Sequence, residues 1–245
     1  MDVYWLEQSA DDVPPENDWL SPAESLRLDS MRIPKRRMDW RLGRWTAKRA
    51  IARFLDLPGQ RQALSTIEIR PATSGAPEAF LSGNPAPVTI SISHRAGIAM
   101  CTVASCGSSL GCDVEVVEPR SFAFVADYFT VKEQTLLAGV PAAARDAAIT
   151  LLWSAKESAL KALREGLRLD TRSLEILAFN EPQFQPDRPP VPSLVPPSDW
   201  RQIQVRCSDG QFFDGWWQRA GSCIRTLVAS PSPSRPMRLS LQSQN

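Results

Sequence analysis

The sequence predicts an α+β protein built from two similar lobes, each with an antiparallel sheet and a long helix. Three observations carry this. Long helical patterns near residues 35–55 and 146–164 are each followed by short alternating segments of strand character. Turn residues such as Arg95-Ala-Gly97 and Gly107 to Ser109 separate those segments closely enough for antiparallel neighbours. No apolar run approaches the eighteen residues of a membrane span. The repeat is one of element order, helix then strands, twice; no repeat of residues stands out. The expected units are an N-terminal lobe at 1–110, a C-terminal lobe at 111–229 and a disordered tail at 230–245.

Val3 to Leu6 reads as a short strand. Ser21-Pro-Ala-Glu24 has a hydroxyl at the N-cap, proline at the first helical position and glutamate at the third, so a helix starts near Pro22 and stops before Pro34. The next helix runs from about Lys35 to Leu55 with Met38, Leu42, Trp45, Ile51 and Leu55 as its apolar stripe. Arg37, Arg41, Arg44 and Lys48 recur on it at three and four residues. This basic ridge is either a solvated face or a phosphate-binding one, which arginine's forked donors suit.

Ser65 to Arg70 is an expected strand, followed by a loop to Ala86. Val88 to His94 alternates cleanly, Ile98 to Ala104 is its hairpin partner, and the chain then turns toward a strand through Asp113, giving an expected three-stranded meander. Phe122 to Leu137 is mixed, offering core packing or a protein-binding surface. A long helix through Arg164 follows. Leu174 to Phe179 reads as a strand, the proline-dense stretch Pro182 to Pro197 as an extended insertion, and Arg201–Arg206, Gln211–Gln218 and Cys223–Ala229 as a second meander. Ser230 to Asn245, with prolines among serines, is the expected mobile tail.

Formal charge is +1, yet Arg27 to Arg53 holds ten Arg or Lys residues against Asp29 and Asp39. That bias points to a specific anionic partner and away from nucleic-acid wrapping. The N-terminus has no secretory pattern. Five cysteines without paired spacing and one histidine argue for reduced thiols in the cytoplasm and against a zinc site.

Asp113 and Glu115 are two apart in an apolar run, so on a strand they share a face. Glu157 and Lys161 are four apart on a helix and share a face there. Brought together, three carboxylates and an ammonium suit a hard divalent cation and a phosphate. Spacing alone leaves open the alternative of solvated acids and an ordinary Glu157–Lys161 surface pair. His94 either satisfies a hydrogen bond at the core edge or, beside Ser93, donates to an anion. A serine nucleophile lacks its Gly-x-Ser-x-Gly elbow.

Ser93-His94, Gly111-Cys-Asp113-Val-Glu115 and Trp153-Ser-Ala-Lys-Glu157-Ser-Ala-Leu-Lys161, followed by Gly166-Leu167, resemble the ordered motifs of the surfactin-type 4'-phosphopantetheinyl transferases. Met38-Asp-Trp-Arg-Leu-Gly-Arg44-Trp-Thr-Ala-Lys48 is similar to their arginine helix. The resemblance spans roughly Pro34 to Leu169. It implies the fold of that family, a pseudo-twofold arrangement in one monomer with coenzyme A between the lobes, and transfer of the phosphopantetheine arm from coenzyme A to a serine of apo acyl- or peptidyl-carrier proteins, releasing adenosine 3',5'-bisphosphate. Under it Asp113, Glu115 and Glu157 hold Mg²⁺, or Mn²⁺ in its place. Glu157 takes the acceptor proton, Lys161 binds the phosphate near the reacting phosphorus, and Arg37, Arg44, Lys48, Ser93 and His94 bind coenzyme A. Neither nucleic acid nor membrane is an implied partner. The alternatives are a coenzyme A or nucleotide-binding module and a carrier-binding adaptor without transfer.

Overall fold

The computed structural model describes residues 1–179 and 200–241. It is α+β, and its internal contacts divide it into two units, Met1–Leu110 with Ser234–Asn245, and Gly111–Pro233. Elements are numbered in chain order.

In the N-terminal unit, α1 (Pro22–Asp29) begins where Ser21 Oγ accepts from the Glu24 amide and Glu24 returns a bond to the Ser21 amide. Helix α2 (Pro34–Phe54) follows, then the single turn α3 (Arg61–Leu64). The main sheet has the order β12 (Met237–Arg238), β1 (Tyr4–Ser9), β6 (Ile98–Ser105), β5 (Val88–Arg95). A smaller sheet joins β2 (Ile67–Pro71), β3 (Pro77–Leu81) and β4 (Asn84–Pro85). Leu42, Trp45 and Ile51 of α2 are buried, and Trp19 stacks edge-on against Trp45 at 5.1 Å.

The C-terminal unit is one five-stranded sheet in the order β7 (Ser109–Val116), β11 (Cys223–Ser230), β10 (Phe212–Ala220), β9 (Arg201–Cys207), β8 (Leu174–Phe179). Short helices α4 (Phe122–Tyr128) and α5 (Val131–Gly139) lead into α6 (Ala142–Leu163). The inner face of α6 is mostly small or aliphatic, with Ala148, Leu151, Leu152, Ala155, Ala159 and Leu160 all buried. This composition lets the helix lie close to the sheet: a Cβ on Gly111 of β7 would stand 1.8 Å from the Ser158 carbonyl oxygen.

Three expectations are corrected. Strand β7 does not complete a meander with β5 and β6, because both edges of β6 are taken, by β5 and by β1; it pairs with β11 instead. The loop to Ala86 contains the β3–β4 hairpin, and β3 pairs with β2 along its whole length. The tail does not leave the fold at Ser230. Met237–Arg238 runs parallel to β1, the Leu239 amide bonds the Trp5 carbonyl at 2.8 Å, and the Leu239 side chain is buried, so an open sheet edge supplies the partner that local composition could not signal. The proline-dense stretch 182–197 lies outside the described residues, as does 242–245.

The two units share a buried device. In the first, Glu24 accepts from the Ser21 and Ile69 amides, while Lys48 Nζ bonds Glu24 at 2.5 Å and the Trp19 and Leu64 carbonyls at 2.8 and 3.2 Å. In the second, Glu133 accepts from the Thr130 and Ile176 amides, while Lys156 Nζ bonds Glu133 at 2.8 Å and the Thr171 and Leu174 carbonyls at 2.9 and 2.6 Å. Even the aromatic neighbour recurs, Trp19 beside Lys48 and Phe129 beside Lys156. A capping box, a glutamate, and a lysine on the next long helix are thus repeated as residues as well as elements.

Candidate functional site

Strand β7 and helix α6 place the acidic residues of the C-terminal unit. Lys161 Nζ donates to Asp113 Oδ1 at 2.8 Å and to the Cys112 carbonyl at 3.0 Å, which ties the last turns of α6 to the middle of β7. Asp113 is buried, whereas Glu115, two residues on, is half-buried with its carboxylate 3.7 Å from Arg120. Arg120 also pairs with Glu118 at 3.0 Å and lies over the Phe124 ring. Phe124 and Tyr128 both meet Trp153 at 5.1 Å, one helical turn before Glu157 on α6.

Glu157 is the most telling member. Its Oε1 is buried without a hydrogen-bond partner. Burial raises its carboxyl above the ordinary range; the Lys161 ammonium pulls it back, and the Asp113 and Glu115 carboxylates push it up again. For Lys161, burial acts to lower the ammonium, but its electrostatic interactions with Asp113, Cys112 and Glu157 and its hydrogen bond to Asp113 outweigh it, and the group is held above its ordinary value. The charges of Lys161, Asp113 and Glu115 thus all bear on Glu157.

The carboxylates are hard oxygen donors, and an orphaned buried oxygen among like charges is the environment that a small divalent cation stabilises. In that respect the residues fit Mg²⁺. Among the described residues, no three His, Cys, Asp or Glu side chains already stand as a closed ligand set, and Lys161 engages one Asp113 oxygen.

The basic residues of the N-terminal unit divide differently from their sequence spacing. A cavity of about 1020 Å³ is lined by Arg27, Arg32, Arg36, Arg44, Arg70 and His94, with Glu24, Asp39 and Glu68 as acidic members. Of the residues singled out in the sequence, Arg44 and His94 reach it. Arg44 stacks over Trp40 at 5.0 Å and stays 3.8 Å from Glu24. Ser93 is buried beside exposed His94 on β5.

Arg37 and Lys48 do not line that cavity. Arg37 donates to the Leu28 and Met31 carbonyls at the end of α1. Lys48 is 0 % exposed and engaged by Glu24 and two carbonyls, so it has no face to offer a ligand. Arg41 binds the carbonyls of Pro14 and Pro15. The ridge is real in period, but three of its four cations hold the preceding chain. Arg27, Arg32, Arg36 and Arg70 were not singled out; for the first three the signal was the length of the basic run, not its helical phase, and Arg70 reaches the cavity only through the fold of β2.

The family model of the 4'-phosphopantetheinyl transferase superfamily (ACPS) matches residues 109–211, the stretch that carries Asp113, Glu115, Glu157 and Lys161. A search of curated proteins gave no match. Among the described residues no helix is long and apolar enough to cross a membrane. Through residues 109–211 the chain is similar to the 4'-phosphopantetheinyl transferase superfamily, and this likeness supports phosphopantetheinyl transfer in general.

Proposed function

We propose that the protein transfers the 4'-phosphopantetheine arm of coenzyme A to the acceptor serine of apo acyl- or peptidyl-carrier proteins, in the manner of the surfactin-type enzymes. The observation that carries this is Glu157, with a buried, partnerless oxygen and a raised carboxyl, set beside the Lys161–Asp113 pair within the stretch similar to the superfamily.

Asp113, Glu115 and Glu157 are the residues that would hold Mg²⁺. A cation bound there supplies charge neutralisation of the pyrophosphate. A raised carboxyl is a stronger base once ionised, so Glu157 suits removal of the proton from the acceptor serine hydroxyl, directly or through a water. Lys161, its direction set by Asp113 and the Cys112 carbonyl, keeps an ammonium available to a phosphate oxygen as negative charge shifts to the leaving bisphosphate. In the N-terminal unit Arg44 and His94, with the further arginines of the cavity, suit the anionic nucleotide end of coenzyme A.

Incubation with coenzyme A, Mg²⁺ and several apo carrier proteins, followed by intact-mass measurement, tests the reading. The expected result is a gain equal to one phosphopantetheine arm, abolished by Glu157→Ala. Tight coenzyme A binding without any gain would indicate a binding module instead, and carrier binding without coenzyme A binding would indicate an adaptor.

A further inference from the structure

We propose that Lys156, through its buried pair with Glu133, is a positioning residue that sets the rotation of α6 and thereby aims Glu157 for divalent-cation binding; this rests on the metal-binding reading above. Lys156 is 0 % exposed and immediately precedes Glu157. Successive residues on an α-helix point about 100° apart. Pinning one of them to fixed backbone therefore fixes the heading of the next.

The pinning is complete. All three ammonium donors of Lys156 are used, by Glu133 Oε2 at 2.8 Å and by the Thr171 and Leu174 carbonyls at 2.9 and 2.6 Å. Glu133 is itself held by the Thr130 amide at 2.8 Å and the Ile176 amide at 3.0 Å, so the anchor reaches both the start of α5 and strand β8. A second line of bonds holds a different face of the same helix: Ser154 and Ser158 hydroxyls meet Thr226 Oγ1 on β11 at 2.9 and 2.7 Å. Between these two attachments α6 cannot turn about its axis, and Glu157 is left directed at neither anchor.

A buried ion pair is a weak means of stabilising a fold, since apolar residues of equal volume do as well or better. What it does supply is direction, because each bond has a required geometry. The same device at Glu24 and Lys48 in the N-terminal unit provides an internal control.

The experiment compares Lys156→Met with Lys48→Met in the full chain, measuring Mn²⁺ affinity by electron paramagnetic resonance without coenzyme A, together with urea midpoints. Comparable losses of midpoint are expected. Mn²⁺ affinity should fall about 10- to 100-fold in Lys156→Met, the usual effect of losing a residue that orients a ligand. It should stay within about twofold in Lys48→Met, as for independent sites. If either methionine variant does not fold, Glu133→Gln and Glu24→Gln repeat the comparison with smaller disruption. Unchanged affinity in a folded Lys156→Met or Glu133→Gln protein overturns the proposal, as does an equal loss in the Lys48 or Glu24 variant. Absence of Mn²⁺ binding in the unaltered protein overturns the metal reading itself, and the positioning role with it.

Discussion

Placed side by side, the two units use the same buried support beneath different outer faces. Ser21, Glu24 and Lys48 in one correspond in kind and order to Thr130, Glu133 and Lys156 in the other, and each glutamate also receives the amide of an isoleucine on a following strand, Ile69 or Ile176. One residue past the buried lysine the units part. The N-terminal helix carries Arg49, stacked over Trp45 at 5.4 Å, where the C-terminal helix carries Glu157; five residues past it stand Arg53 and Lys161. Arg53 bonds the Ser240 carbonyl and approaches Asp56, whereas Lys161 is drawn to Asp113. A duplicated scaffold thus presents cations in one unit and a carboxylate cluster in the other. The lesson is that the buried pair belongs to the fold and the chemistry belongs to the residues it aims.

The largest expected effect separates those two faces. Glu157→Gln should lower transfer to carriers by about 10²–10⁴-fold, the usual contribution of a general base, while Arg49→Gln leaves turnover near that of the unaltered protein; equal losses would break the contrast. Next come the supports. Glu133→Ala and Glu24→Ala each leave a buried ammonium without its counter-charge, so each should cost about 3–5 kcal/mol in urea unfolding. A marked asymmetry between them would show that the two devices are alike only in outline.

Gly111→Ala should be destabilising by about 1–3 kcal/mol, since the new methyl meets backbone, the Ser158 carbonyl at 1.8 Å and the Ala162 nitrogen at 2.7 Å, which cannot move aside alone. Thermal unfolding checks this, and reduced Mn²⁺ binding in the same variant would show that the β7–α6 approach also serves the carboxylates. The smallest effect is one of pH. Because burial raises the Glu157 carboxyl, the metal-free folded chain binds more protons than the unfolded one above the ordinary value of 4.5, so this group's contribution to stability falls as pH rises from there through its folded value. Urea midpoints across that range should show a slope that Glu157→Gln diminishes.

Much of this was legible in local sequence. The start of α1 follows from Ser21-Pro-Ala-Glu24, whose capping bonds span three residues, and β8 falls on Leu174–Phe179 as its composition indicates. The grouping of Asp113 with Glu115 and of Glu157 with Lys161 needs only the periods of strand and helix. The basic ridge was legible in period but not in use, since whether an arginine meets a ligand or a carbonyl depends on chain brought from elsewhere. Arg41 meets carbonyls twenty-six and twenty-seven residues away.

By itself, then, the sequence determined the α+β class, helices α1, α2 and α6, most of the strands, and which charged residues share a face, because those are set by bonds and periods within a few residues. Tertiary structure alone decided that β7 joins β11, that Met237–Arg238 closes onto β1, and that Lys48 is an internal tie. Strand edges and buried charges choose partners by which groups remain unsatisfied once everything else has packed, and no local pattern records that remainder.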